Sequence, residues 1–302
     1  MDVMKKIHCG KCLKISRRAF PWALLIVCTT HISLDNAVAS NFNNRENTPQ
    51  LIAQANAQTL TEARLKERAT QEVSETTKQI KAGQSSWKIY YRRASALSAL
   101  VRYEEALEDL EKSIKLDPKQ VDSLLLHARL SENILDDEAA AEDYTKVINL
   151  APAKNSNYLL PRSHCYESML KLDLALADAL GFLKGHPERY GTNLARILGT
   201  LYLKLGKGKE AVEHFSYCLK SNPKMSKVHE MRGDSYMLLK NYAAAASDYG
   251  LAIARMPNID TKLYKKRAEA YRKGGQLKKA AEDDIKVKSV GNEVFDIAPF
   301  RN

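Results

Sequence analysis

Residues 192–223, TNLARILGTLYLKLGKGKEAVEHFSYCLKSNP, and residues 226–257, SKVHEMRGDSYMLLKNYAAAASDYGLAIARMP, can be laid one over the other with their final prolines in register. Glycine then falls on glycine (Gly199, Gly233), tyrosine on tyrosine (Tyr202, Tyr236), alanine on alanine (Ala211, Ala245) and ring on ring (Phe215, Tyr249). Each stretch holds two apolar runs of helical period, parted by a polar turn such as Gly206-Lys207-Gly208-Lys209. The reading is therefore a repeated pair of helices.

Working outward, Pro118, Pro152, Pro187, Pro223 and Pro257 stand 34, 35, 36 and 34 residues apart. With that proline numbered place 32, units begin at Trp87, Val121, Ser156, Thr192 and Ser226, and a sixth begins at Thr261 with Asn292 at the proline place. Place 8 is always small: Ala94, Ala128, Ser163, Gly199, Gly233, Ala268. Place 20 is always alanine: Ala106, Ala140, Ala175, Ala211, Ala245, Ala280. Small residues at both places let the two helices of a unit approach closely. Tyr and Phe at places 11 and 24 fill the space beside them. Proline cannot continue the second helix and sets the turn into the next unit.

This pattern resembles the tetratricopeptide repeat family, most closely over Thr192–Pro223 and Ser226–Pro257, and the resemblance runs from residue 87 to residue 292. It implies an all-α chain: a right-handed superhelical solenoid of about six helix-turn-helix repeats, 87–120, 121–155, 156–191, 192–225, 226–260 and 261–292. In the third unit Pro161 falls within the first helix, and Gly181 and Gly185 within the second, so a local distortion is expected there. The sixth unit lacks its proline and has Asp284 at an apolar place, which suits a terminal cap.

Composition narrows the rest. A chain of 302 residues with 44% hydrophobic and 27% charged residues is not globally disordered. Its 13 glycines and 9 prolines are too few for collagen-like or turn-dense all-β folds. Part of the net charge of +11 lies in residues 1–39, where Lys5, Lys6, Lys11, Lys14, Arg17 and Arg18 precede an apolar run over 19–30. That run is shorter than the roughly 20 residues of a membrane span. Ala37-Val38-Ala39 ahead of Ser40 offers the small residues a signal peptidase accepts. Segment 1–39 therefore reads as a cleaved export signal, with an uncleaved membrane anchor as the alternative. The protein is expected to be exported, periplasmic or secreted. Residues 40–50 read as a flexible linker, 51–86 as a helical or partly disordered spacer, and 293–302 as a tail. Cys9 and Cys12, beside His8, have no second pair to complete a metal site, and Cys165 and Cys218 read as small buried hydrophobes.

The family resemblance implies that the first helix of each unit lines a concave wall through places 2, 5, 9 and 12. A partner segment, another protein or a peptide, would then meet Tyr91, Leu125, Arg129, His164, Arg196, Leu203, Glu230 and Asp234. Arginine offers two donors to a carboxylate or to backbone carbonyls. Some family members clamp a terminal carboxylate with Lys and Asn at places 5 and 9; the first unit has Tyr91 and Ser95 there, so that mode is not expected. A second surface is basic: Lys262, Lys265, Lys266 and Arg272 in the last unit could seat an acidic partner or an anionic polymer. No aromatic ladder accompanies it, so nucleic acid is not favoured.

Catalytic signatures are missing from the sequence. There is no glycine-rich phosphate loop, no nucleophile elbow and no His-Glu-x-x-His, and His164 and Cys165, adjacent on a helix, point roughly 100° apart. The expected role is a non-catalytic scaffold or assembly factor acting outside the cytoplasm, with no cofactor, metal or small-molecule substrate. Two alternatives stand beside it: a subunit of a cell-envelope polysaccharide or peptidoglycan machine, and an anionic-polymer or nucleic-acid binder using the basic end. The membrane would be a partner only if the N-terminal segment stays uncleaved.

Overall fold

The structure, a computed structural model, describes residues 48–255 and 260–293. The expected export segment, residues 40–47 of the linker, Pro257 and the tail beyond residue 293 lie outside the described residues. Among the described residues the chain is all-α, with thirteen α-helices, two short 3-10 turns and no strand. It divides into two compact units at residue 66, inside the first helix.

That helix, α1 (Thr48–Lys81), begins within the stretch read as linker and runs through the stretch read as spacer. Six helix pairs follow: α2 (Trp87–Ala99) with α3 (Tyr103–Leu116), α4 (Val121–Asn133) with α5 (Asp137–Leu150), and α6 (Leu159–Ser168) with α7 (Leu172–Gly185). Then come α8 (Thr192–Lys204) with α9 (Gly208–Ser221), α10 (Ser226–Leu238) with α11 (Tyr242–Ile253), and α12 (Thr261–Lys273) with α13 (Leu277–Glu293). From α2 to α13 each helix packs on its neighbours in the chain, so the second unit is a tetratricopeptide-like solenoid.

The small residues of places 8 and 20 lie where the two helices of a pair touch. Ala94, Ala106, Ala128, Ala140, Ala175, Ala211 and Ala245 are fully buried. At Gly199 a Cβ would come within 2.7 Å of the Phe215 ring, and at Gly233 within 2.7 Å of the Tyr249 ring. The cores are continuous across pairs. One joins Phe215 and Cys218 of the fourth pair to Val228 of the fifth, and another joins Tyr249 and Ala252 of the fifth to Leu263 and Ala270 of the sixth.

Every first helix ends in the same way. The residue at place 15 is left-handed in all six units: Val101, Leu135, Leu170, Gly206, Lys240 and Gly275, with φ between 57° and 77°. The following N–H then turns back onto the helix, as Lys207 N–H does to the Tyr202 carbonyl at 2.8 Å. The third pair carries the expected distortion at its start. A 3-10 turn (Ser156–Tyr158) replaces the opening of the first helix, and α6 keeps only ten residues. Pro161 lies in the first turn of α6, where its missing N–H costs no helical bond. Gly185 closes α7 rather than interrupting it.

Candidate functional site

The candidate site is the row of first helices α2, α4, α6, α8, α10 and α12. Its geometry is decided by which polar side chains the fold uses internally. The largest internal use is a clasp between the helices of a pair. Arg93 holds Asp109 with two hydrogen bonds, Nε at 2.6 Å and Nη2 at 2.7 Å. Arg162 holds Asp178 (2.8 and 2.7 Å), Arg232 holds Asp248 (2.7 and 2.8 Å) and Arg267 holds Asp283 (2.8 and 2.6 Å) in the same two-pronged way. His127 meets Asp143 through Nδ1 at 2.5 Å. All five pairs join place 7 to place 23, and all five aspartates are buried.

The clasp reaches a third helix. The spare Nη1 of Arg162 bonds Thr145 at 2.9 Å and that of Arg232 bonds Ser216 at 3.1 Å, each on the second helix of the preceding pair. Arg93 does the same to Thr77 at 3.3 Å, so the last turns of α1 take the position of a second helix ahead of the first pair. Thr76 is buried there too, and Val73 is half-buried against the same core. The guanidinium groups of Arg162, Arg232 and Arg267 also lie over the place-11 rings Tyr166, Tyr236 and Tyr271, at 5.6, 5.9 and 5.9 Å. The fourth pair departs from the scheme: Leu198 replaces the arginine, and His214 replaces the aspartate. The His214 ring stacks on Tyr202 at 5.4 Å, and its Nδ1 pairs with the Tyr190 hydroxyl at 2.7 Å. Burial holds the His214 imidazolium pKa below its usual value, against a small opposite pull from Glu213.

The sequence-predicted groove residues separate into three groups. Leu125 is 8% exposed and packs with Leu124 and Ala128 in the core of the second pair, so it offers a partner almost nothing. Glu230 is 6% exposed. Burial pushes its carboxyl up, but hydrogen bonds from Lys227 (2.6 Å) and Lys266 (2.7 Å) outweigh this and hold it below the ordinary carboxylate value. Asp234 takes the Lys266 ammonium at 2.7 Å and the Tyr249 hydroxyl at 2.7 Å. Tyr91 and Leu203 are half-buried at the margins of the cores. Arg129, His164 and Arg196 are exposed. The only hydrogen bond of the Arg196 side chain among the described residues is to Asn193 on the same helix, 3.1 Å. Arg129 and His164 have no hydrogen bond or ion pair among the described residues.

The basic surface is smaller than the sequence suggested. Lys266 is not a free cation, since it closes the triad with Glu230 and Asp234. Arg272 pairs with Asp284 at 2.9 Å, which accounts for the acidic residue at that usually apolar place. Lys262 and Lys265 remain exposed. Cys165 is buried while its neighbour His164 is exposed, so the two share no site. Burial, with the Glu132 carboxylate accepting its S–H at 3.4 Å, pushes the Cys165 thiol up to about 12. Cys218 is also raised by burial and donates to the Thr192 carbonyl at 3.3 Å. Both thiols are structural. Among the described residues no group of His, Cys, Asp and Glu is placed to hold a metal ion, and no helix is long and apolar enough to cross a membrane.

A family profile described as tetratricopeptide repeat matches residues 87–120, and a second profile of that description matches residues 198–258. The chain carries tetratricopeptide repeats. Two curated relatives of this repeat protein come from rice (Oryza sativa subsp. japonica), DnaJ protein P58IPK homologs B and A. They are 26% and 25% identical over 178 residues, covering 55% of this chain and 38% and 37% of theirs. Rat (Rattus norvegicus) RNA polymerase II-associated protein 3 is 33% identical over 98 residues, 32% of this chain and 15% of that one. The chain thus spans less than two-fifths of the length of the curated relatives it matches. Among solved structures, the C-terminal part of a repeat protein from Cytophaga hutchinsonii superposes with a TM-score of 0.57 at 14% identity, covering 80% of this chain and 96% of that one. YrrB, described as having an unusual peptide-binding site, gives a TM-score of 0.53 at 18% identity, covering 61% and 93%. These likenesses are to the fold. Family members bind peptide or protein partners, and a protein–protein interaction scaffold is the coarse role that follows from the repeats.

The clasp was missed from sequence although its signal is present. Arg or His at place 7 and Asp at place 23, sixteen residues apart, recur in five of six units. Charged columns look like solvated faces until the helices are paired.

Proposed function

We propose that this repeat protein is a non-catalytic assembly scaffold whose first-helix row holds a partner segment carrying carboxylates beside apolar side chains. One observation supports this reading above the rest: Glu132, Glu167, Glu230 and Asp234 have internal partners, whereas Arg129 has none among the described residues and Arg196 has only Asn193. Glu132 accepts the Tyr144 hydroxyl at 3.1 Å, Glu167 takes Lys204 at 2.7 Å, and Glu230 and Asp234 share Lys266. Arg129 keeps its two-donor edge unused, Arg196 gives one Nη2 bond to Asn193 alone, and His164 lies between them in sequence. Half-buried Tyr91 and Leu203 add apolar contact in the same row of first helices, Leu203 on the helix of Arg196. The peptide-binding site named for YrrB is a precedent for such use of this fold.

The test is selection of peptides from a random display library on the immobilised full chain. Enriched peptides should be acidic, and Arg129→Ala with Arg196→Ala should weaken them at least about tenfold, without moving the thermal unfolding midpoint. Enriched peptides without carboxylates, or equal binding by the double variant, would overturn the reading.

We further propose that the protein works outside the cytoplasm. The support is the order basic stretch, apolar run and Ala37-Val38-Ala39 in residues 1–39. Terminal sequencing of the protein from its own cells should begin at Ser40; a chain still beginning at Met1 in the soluble cytoplasmic fraction would reject it.

A further inference from the structure

The six turns that join first to second helices lie side by side along one edge of the stack. A Cβ on Gly208, in the fourth turn, would sit 3.0 Å from the Ser235 carbonyl oxygen and 3.1 Å from Leu239 of the fifth; one on Gly274, in the sixth, would sit 3.3 Å from Tyr242. The left-handed apex residue is glycine in the fourth and sixth turns. In the first three it is Val101, Leu135 and Leu170, which are 65%, 73% and 76% exposed. Two disfavoured features coincide at these three points. A side chain with a Cβ is strained in the left-handed region, a β-branched one most of all. A large apolar side chain in water also gains nothing from burial. The capping bonds of the next N–H groups, Arg102 to the Leu97 carbonyl at 3.0 Å and Asp136 and Lys171 to the Ser131 and Tyr166 carbonyls at 2.8 Å, offset the backbone strain, but nothing within the described chain covers the three side chains. Ile134 and Leu174 extend the apolar surface on this half, and Leu238, Leu239 and Leu277 are exposed along the other half.

Charge divides the same edge. The ion pairs Arg102–Glu105, Lys204–Glu167 and Lys273–Glu269 neutralise themselves. The turns of the first three pairs then carry Glu104, Asp136, Asp137, Glu138 and Asp173 against Lys171. Those of the last three carry Lys207, Lys209, Lys240, Lys278 and Lys279 against Glu210. Acidic residues at the start of a helix are favoured by its dipole; Lys209, Lys278 and Lys279 lie in the first turns of α9 and α13, where the dipole opposes them. The basic half, like the apolar apices, is arranged against local preference.

We propose that this edge is a self-association surface on which a second copy of the chain docks antiparallel about a two-fold axis. The apolar, acidic half of each copy then meets the apolar, basic half of the other. A two-fold contact uses one surface twice, so that surface must complement its own reversed image. An edge negative at one end, positive at the other and apolar at both meets that requirement. The occupant is a second copy because both halves of the complementarity are on one chain; a foreign partner matching the acidic half would leave the lysines unanswered.

The experiment is sedimentation velocity on the full chain across a concentration series at low and high salt. A concentration-dependent dimer that weakens with salt is expected. Leu135→Gly with Leu170→Gly should weaken it at least about tenfold, while the unfolding midpoint stays level or rises, because glycine is relaxed at those φ values. That opposite movement separates a docking role from a folding role. Lys207→Glu with Lys240→Glu, and Glu138→Lys with Asp173→Lys, should each give a chain that dimerises poorly alone, and the two mixed should form a heterodimer. A chain monomeric at every concentration, a dimer indifferent to the glycine pair, or a mixture that fails to pair overturns the proposal.

Discussion

A methyl group added at Gly199 would meet the Phe215 ring at 2.7 Å, with two further ring atoms within 3.0 Å. The neighbouring repeats show how that contact trades: Ala94 stands opposite Leu110, Ala128 opposite Tyr144, and Gly233 opposite Tyr249 at the same two places. Alanine can therefore be admitted if the ring moves. Overpacking of this kind costs roughly 1–3 kcal/mol, and leaving glycine in a helix interior regains about 1 kcal/mol. Gly199→Ala should lower stability by about 1 kcal/mol, read as a lower urea midpoint. Combined with Phe215→Leu, which recreates the Ala94–Leu110 pair, the two losses should fall short of additive by about 1 kcal/mol. Strict additivity would mean the methyl and the ring do not compete for one volume. This contact was legible in the sequence, because small and large residues alternate at constant spacing. The left-handed apex was not: glycine marks it at Gly206 and Gly275, but Val101, Leu135, Leu170 and Lys240 occupy the same geometry without any such mark.

At the scale of helices, the clasp explains why paired helices stay in one register. Alanine and glycine permit close approach over a range of offsets, whereas a two-pronged arginine bond accepts one. Arg162 is the cleanest case, since both oxygens of Asp178 are bound by its guanidinium, and Asp178 is 7% exposed. Arg162→Ala strands a buried carboxylate and should cost about 3 kcal/mol, seen as an early loss of helical signal in urea. Arg162→Met with Asp178→Leu should recover most of it, since a buried ion pair replaced by apolar groups of similar size is near neutral. If the double replacement were as damaging as the single, the pair itself rather than the stranded charge would be the stabilising element. Helix positions and pairings were readable from periodicity and proline spacing. The shortened α6 was readable in part, because Pro161 and the glycines flagged the place. That the fault resolves as a 3-10 turn before the helix, with Pro161 harmless in its first turn, depends on which backbone N–H groups lack partners, and residue type alone does not give that.

For the molecule as a whole, each core passes only to the next pair, so stability should be shared between neighbours rather than uniformly. The sequence conveyed this one-dimensional order through its repeat. It did not convey that α1 supplies an extra second helix ahead of the first pair, since Thr77 holds Arg93 without any of the small-residue columns. The two buried thiols make the order measurable. Cys165 lies in the third pair and Cys218 in the fourth, and both are held protonated by burial, so a thiol reagent reaches them only when their surroundings open. In a chain with Cys9, Cys12 and Cys28 replaced by Ser, Arg162→Ala weakens the clasp three residues from Cys165 and should speed its labelling by about tenfold or more. Arg267→Ala weakens the sixth pair equally, yet the fifth pair stands between it and Cys218, and the fourth and fifth stand between it and Cys165. It should leave both rates within about twofold of the parent. Equal acceleration of both cysteines by the distant substitution would show that the pairs open as a single body, and a neighbour-by-neighbour stack would then be the wrong description of this solenoid.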